Sequence, residues 1–138
     1  MAERENSVKK RKFLRTREEA VELVKRFAEE NKDTFKWCKV GIYGDFTLDG
    51  VRSPSDQLGI VIEVPLGEDE LGNGRQEALD KLKVTTETRI VEYWVNTLKK
   101  RELEMRGFRQ RHGLAPVEES VYMKVQRDKL VAWEYKQG

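Results

Sequence analysis

The run Leu58-Gly59-Ile60-Val61-Ile62-Glu63-Val64 is apolar at neighbouring positions rather than alternate ones. A strand with one wet face alternates. A strand apolar at consecutive positions is buried on both faces, as in a sheet covered from either side. Pro65 ends the run, since proline has no amide to give a ladder. Upstream, Trp37-Cys38-Lys39-Val40-Gly41-Ile42-Tyr43 is a second short β-type run, closed by Gly44-Asp45. Between the two, residues 46–56 hold Asp49-Gly50, Ser53-Pro54 and Ser55, all turn chemistry.

Further out on the N-terminal side, Thr16 and Glu19 have capping-box spacing and predict a helix. Val21, Leu23, Val24, Phe27 and Ala28 then recur at helical spacing, and Asn31–Asp33 is the expected stop. On the C-terminal side, residues 66–75 carry Glu68, Asp69, Glu70, Gly72 and Gly74 and read as a solvated acidic loop. Gln76–Leu82 reads as a short helix. Val84–Val95 fits either period, but its β-branched and aromatic residues favour a strand over 88–95. Asn96 is then placed to cap a second long helix to about Gln110, with Leu98, Leu103, Met105 and Phe108 as its apolar positions and Gly113 or Pro116 as its end. Val121, Met123 and Val125 alternate with Tyr122, Lys124 and Gln126, and a turn at Arg127-Asp128 leads into Leu130–Tyr135, which predicts a β-hairpin. The sum is an α+β (mixed α/β) domain over residues 16–138: a small sheet packed against two long helices, with a C-terminal β-hairpin, preceded by a basic flexible arm over residues 1–15.

A chain of 138 residues has room for one core, and its apolar residues cluster, so a wholly disordered chain is excluded. No apolar run approaches the roughly 18 residues of a membrane span, and no signal-peptide pattern opens the chain. One cysteine, Cys38, and one histidine, His112, leave neither a disulfide framework nor a zinc cluster. A reducing, cytoplasmic setting without membrane contact is the default expectation.

One stretch carries chemical information. Ile42-Tyr43-Gly44-Asp45, followed after a loop by Ser55-Asp56-Gln57-Leu58-Gly59-Ile60-Val61, resembles the signature of the minimal nucleotidyltransferases of the DNA polymerase beta-like class. That family has a strand ending in Gly-Ser, a loop of about ten residues, and Ser-Asp-x-Asp opening the next strand. A third carboxylate sits on a later strand, where Glu92 stands here. The resemblance implies a Mg-dependent nucleotidyltransferase with an atypical active site, in which Asp56, Asp45 and Glu92 would form a rearranged single-metal site. The family's chemistry needs carboxylates on neighbouring strands to clamp two metal ions about 3.5–4 Å apart. This chain departs at both critical places: Leu58 replaces the second aspartate, and Asp45 the phosphate-holding serine. Read without the resemblance, Gly-Asp and Ser-Pro-Ser-Asp are ordinary turns between strands.

Other motifs are incomplete. Gly41-Ile42-Tyr43 lacks a following Tyr-Ile-Gly, Asp56 with Glu63 lacks a nuclease lysine at Pro65, and Gly72-x-Gly74 is too short for a dinucleotide fingerprint. Cys38 reads as a small core hydrophobe. Net charge is only +2, yet it is segregated: residues 1–17 carry seven Lys/Arg against two Glu, while residues 61–80 are acidic. The leading expectation is therefore a non-catalytic, small regulatory binding module without a cofactor. It would dock on a protein partner, with nucleic-acid or transcription machinery as the class in view. Its binding residues are Lys9, Lys10, Arg11, Lys12, Arg15 and Arg17 in one segment and Lys99, Lys100, Arg101, Arg109 and Arg111 in the other. Direct nucleic-acid contact through those segments is the sharper form of the same reading. The alternatives are the nucleotidyltransferase and a structural or assembly subunit whose hairpin edge pairs with a neighbour.

Overall fold

In the computed structural model, which describes residues 13–137, the apolar run forms β2 (Gln57–Glu63), an inner strand of a four-stranded sheet. Its neighbours are β1 (Lys39–Tyr43), antiparallel, and β3 (Arg89–Trp94), parallel. β4 (Leu130–Glu134) pairs antiparallel with the far side of β1, with a bulge between Val40 and Gly41, giving the order β3-β2-β1-β4. The fold is a mixed α+β domain, as expected.

The two faces of β2 are both covered, by different layers. Leu58, Ile60 and Ile62 point into one core with Val40, Ile42 and Phe46. α1 (Arg17–Glu30) supplies Ala20, Val24, Phe27 and Ala28 to it, and α2 (Arg75–Val84) supplies Leu79 and Leu82. α1 starts at the capping box: Glu19 N donates to Thr16 Oγ1 at 3.1 Å, and Thr16 N donates back to Glu19 Oε1 at 3.1 Å. On the other face Val61 packs with Val95 and Val125, flanked by Tyr43, Tyr93, Leu98 and Tyr122. Gly59 is required there, because a Cβ would stand 2.5 Å from the Tyr43 carbonyl oxygen and 2.9 Å from the Tyr93 ring.

Three expectations need correction. First, residues 121–126 are not a hairpin strand. They belong to α4 (Val121–Asp128), whose N-cap Ser120 accepts a hydrogen bond from Met123 N at 3.1 Å. Tyr122 and Val125, three apart, share the buried side, so a helical period lay inside what also reads as alternation. β4 stands without a hairpin partner and closes the sheet against β1 instead.

Second, only one of the two long helices covers the sheet along its length. α3 (Val95–Arg111) starts on β3 and fully buries Val95 alone, while Leu103, Met105 and Phe108 are exposed. These apolar positions do not form one stripe. Leu98 and Met105, seven apart, share a side, but Leu103 lies about 160° round from Met105 at ~100° per residue. α3 ends at Gly113 (φ +65°) in a Schellman arrangement, with Leu114 N donating to Arg109 O at 2.8 Å and Gly113 N to Gln110 O at 3.3 Å.

Third, the acidic loop is not merely solvated. Glu70 is 7% exposed and accepts from Asn96 N at 2.7 Å, Thr97 N at 2.9 Å and Thr97 Oγ1 at 2.5 Å. It caps α3 from outside the helix, placing an anion at the positive end of the helix dipole. Asn96, expected as that cap, is already helical and donates its side-chain amide to Val64 O at 2.9 Å. Arg75, 2% exposed, ties the same loop down through Asp69 O at 2.8 Å, Glu68 at 3.1 Å and Thr34 O at 3.1 Å.

Most of the expected basic arm, residues 1–12, lies outside the described residues. At its inner end Leu14 is a core residue, and its N–H donates to Thr88 Oγ1 at 2.7 Å.

Candidate functional site

After the Gly113 turn the chain doubles back, and residues 114–123 face α3 across a groove of about 800 Å³. Its lining is mostly apolar: Leu98, Met105, Leu114, Pro116, Val117, Val121 and Met123. Met105 is 51% exposed, and Leu114, Val117, Val121 and Met123 are exposed to similar degrees. Scattered surface apolar residues are ordinary; several gathered round one concave surface mark an interaction site. Arg101, Glu102, Arg106, Arg109 and Glu118 also line the groove. Arg106 donates to Glu102 at 2.8 Å, one turn away. Among the described residues neither Arg101 nor Arg109 forms an ion pair, and the buried Nε of Arg109 has no hydrogen-bond partner. The groove thus combines an apolar floor with two guanidinium groups outside any ion pair, against one such carboxylate, Glu118.

The basic residues expected from sequence are divided by the fold. Lys9, Lys10, Arg11 and Lys12 lie outside the described residues. Arg15 is exposed, whereas Arg17 is bound to Asp49 at 2.5 Å and to Glu18 at 3.4 Å, so it ties α1 to the 44–56 segment. α1 and α3 pack on opposite faces of the sheet. Lys99, Lys100, Arg101, Arg109 and Arg111 are distributed round α3: Lys100 and Arg111 fall on the side away from Arg109 at ~100° per residue. Only Arg101 and Arg109 of that set reach the groove.

The three carboxylates of the nucleotidyltransferase pattern lie on or beside adjacent strands, but each is engaged locally. Asp45 Oδ2 accepts from Gln57 N at 3.1 Å, and Asp56 Oδ2 accepts from Ser53 N at 3.0 Å while facing Arg52 Nε at 3.9 Å. Both therefore serve the turn before β2. Glu92 pairs in register with Ile60, three residues further along, or about 10 Å at ~3.3 Å per residue. It accepts from Gln76 at 2.9 Å and Trp94 Nε1 at 2.9 Å and is ion-paired with Lys83. Burial pushes the Glu92 carboxyl up, but the hydrogen bonds from Lys83, Trp94 and Gln76 outweigh it and hold the group below its ordinary value. Among the described residues no three His, Cys, Asp or Glu side chains come together where they could hold a metal ion.

Cys38 is a core residue, and burial raises its thiol pKa; its Sγ lies 3.5 Å from Lys36 O. The ring of His112 is 4.3 Å from that of Phe108.

The chain matches no family model, no curated protein and no solved structure. Among the described residues no helix is long and apolar enough to cross a membrane.

The groove is the feature sequence reading missed. Its signal was present: a charged helix whose apolar residues fit no single stripe cannot bury them all in its own domain.

Proposed function

We propose that the protein is a small non-catalytic binding module that docks on a protein partner through the face formed by α3, residues 114–120 and α4. The observation that carries this reading is the gathering of exposed Met105, Leu114, Val117, Val121 and Met123 round one groove, beside a helix that fully buries only Val95. Apolar side chains left in water on a helix held at both ends gain roughly 25 cal/mol per Å² when a partner covers them. A regulatory role on nucleic-acid or transcription machinery fits this reading, because the basic helix would be drawn to acidic surfaces.

A photo-crosslinking residue placed at Met105 in living cells tests the reading, with Glu22 on the exposed side of α1 as the control position. A discrete protein adduct at position 105 and none at position 22 is the expected result. Equal labelling at both, or none at position 105, removes the face from the account.

A further inference from the structure

We infer that the groove takes an acidic amphipathic helix of the partner, with its apolar stripe on Met105 and Met123 and its carboxylates on Arg101 and Arg109. This rests on the docking reading above. Glu102 is held by Arg106, while Arg101 and Arg109 have no ion-pair partner among the described residues. Guanidinium groups outside any ion pair beside an apolar groove favour a carboxylate, their strongest hydrogen-bond partner. Glu118 is the one carboxylate at the groove outside an ion pair, so the guanidinium charge prevails there.

α3 and α4 satisfy their own peptide groups, so an extended segment would find backbone partners only along residues 114–119 and would leave the groups on its other side unpaired. A helix satisfies its own backbone and needs only an apolar stripe, which unbranched methionines accommodate. Residues 1–12 of this chain do not suit the groove: they carry five Lys/Arg against two Glu, and Val8 is their only branched apolar residue. A second copy presenting α3 would set like charges against each other.

The test uses a fluorescent synthetic helix of about 16 residues, four to five turns, with Leu at i, i+3/i+4 and i+7 flanked by Glu, and a twin carrying Lys for Glu. Anisotropy with the full chain should show the acidic peptide binding roughly tenfold or more tightly at low salt, with the gap narrowing as salt rises. The double variant Arg101→Glu/Arg109→Glu should invert the preference, and Met105→Glu should weaken the acidic peptide. Equal binding of the twins, or an unchanged preference in the double variant, overturns the acidic occupant. If the twins bind equally and both depend on Met105, the docking reading survives that failure. If neither binds and position 105 gives no crosslink, both readings fall. A concentration-dependent dimer broken by Met105→Glu assigns the groove to a second copy and overturns the proposal.

Discussion

Replacing Glu70 with alanine removes one carboxylate and strands three donors at the start of α3: Asn96 N, Thr97 N and Thr97 Oγ1. Loss of an N-cap side chain costs about 0.5–2 kcal/mol. Hydrogen bonds to a charged group are worth about 1.5–3 kcal/mol each, but three on one carboxylate do not add fully. The geometry therefore sets the loss at about 3 kcal/mol. Unfolding entropy of ~2.1 cal/mol/K per residue gives about 0.29 kcal/mol/K for a chain this long, so the midpoint should fall by roughly 10 °C. Glu70→Gln keeps one acceptor oxygen without the charge, and should lose about half as much. Urea titration supplies the free energy, and hydrogen exchange supplies the location: amides 96–99 should lose protection before those of β2. A Glu70→Ala variant within about 0.5 kcal/mol of the parent, the range of ordinary surface changes, refutes the external cap.

Glu92 supplies a pH test. Its folded-state pKa is held below the ordinary value, so its contribution is present above the unfolded carboxylate pKa of about 4.3 and is lost as pH falls through the folded value. Glu92→Gln should therefore be less stable than the parent at pH 7, and the difference should shrink in acid; denaturant titrations at pH 7 and pH 3 that show the same gap contradict the assignment. Nucleotide binding is checked by thermal unfolding with ATP, CTP, GTP and UTP, each with and without Mg. The docking reading expects no shift that needs the metal, whereas a ligand at 100 times its Kd would stabilise by about 2.7 kcal/mol. A Mg-dependent shift lost in Asp56→Ala would put the nucleotidyltransferase reading ahead.

Elements whose signal is local were readable from the chain. The Thr16–Glu19 capping box, the two-sided apolar run of β2 and the β-branched run of β3 each form as their own residues dictate. What failed depended on distant partners. The cap of α3 comes from Glu70, 26 residues earlier, so the nearby Asn96 looked sufficient. The acidic loop looked solvated because the charges that hold it are Arg75, buried beneath it, and a helix dipole that no composition count reveals. Val121–Gln126 satisfied a period of two and a helical spacing at once, and contact with Val61 through Val125 decided between them. The groove was hidden for the opposite reason. Apolar residues on a helix were assigned to the core by default, while their angular scatter round α3 argued against it.

The ends of α3 and its sides carry different loads. A 17-residue helix is marginal on its own propensity, and Gly107 lowers it further. α3 fully buries one residue, so packing along its length supplies little. Its stability must come from its termini: Glu70 and β3 at the start, and the Schellman turn at Gly113 at the finish. Glu70 and β3 lie outside the groove, and the Schellman turn at its rim uses main-chain bonds only, so the exposed face is held in place before any partner arrives and binding need not order it again. Glu70 should consequently govern how stable the helix is, and Arg101 and Arg109 what it binds. A terminus that folds the helix and a flank that recognises a partner can then vary independently, which a helix stabilised through its binding face could not do.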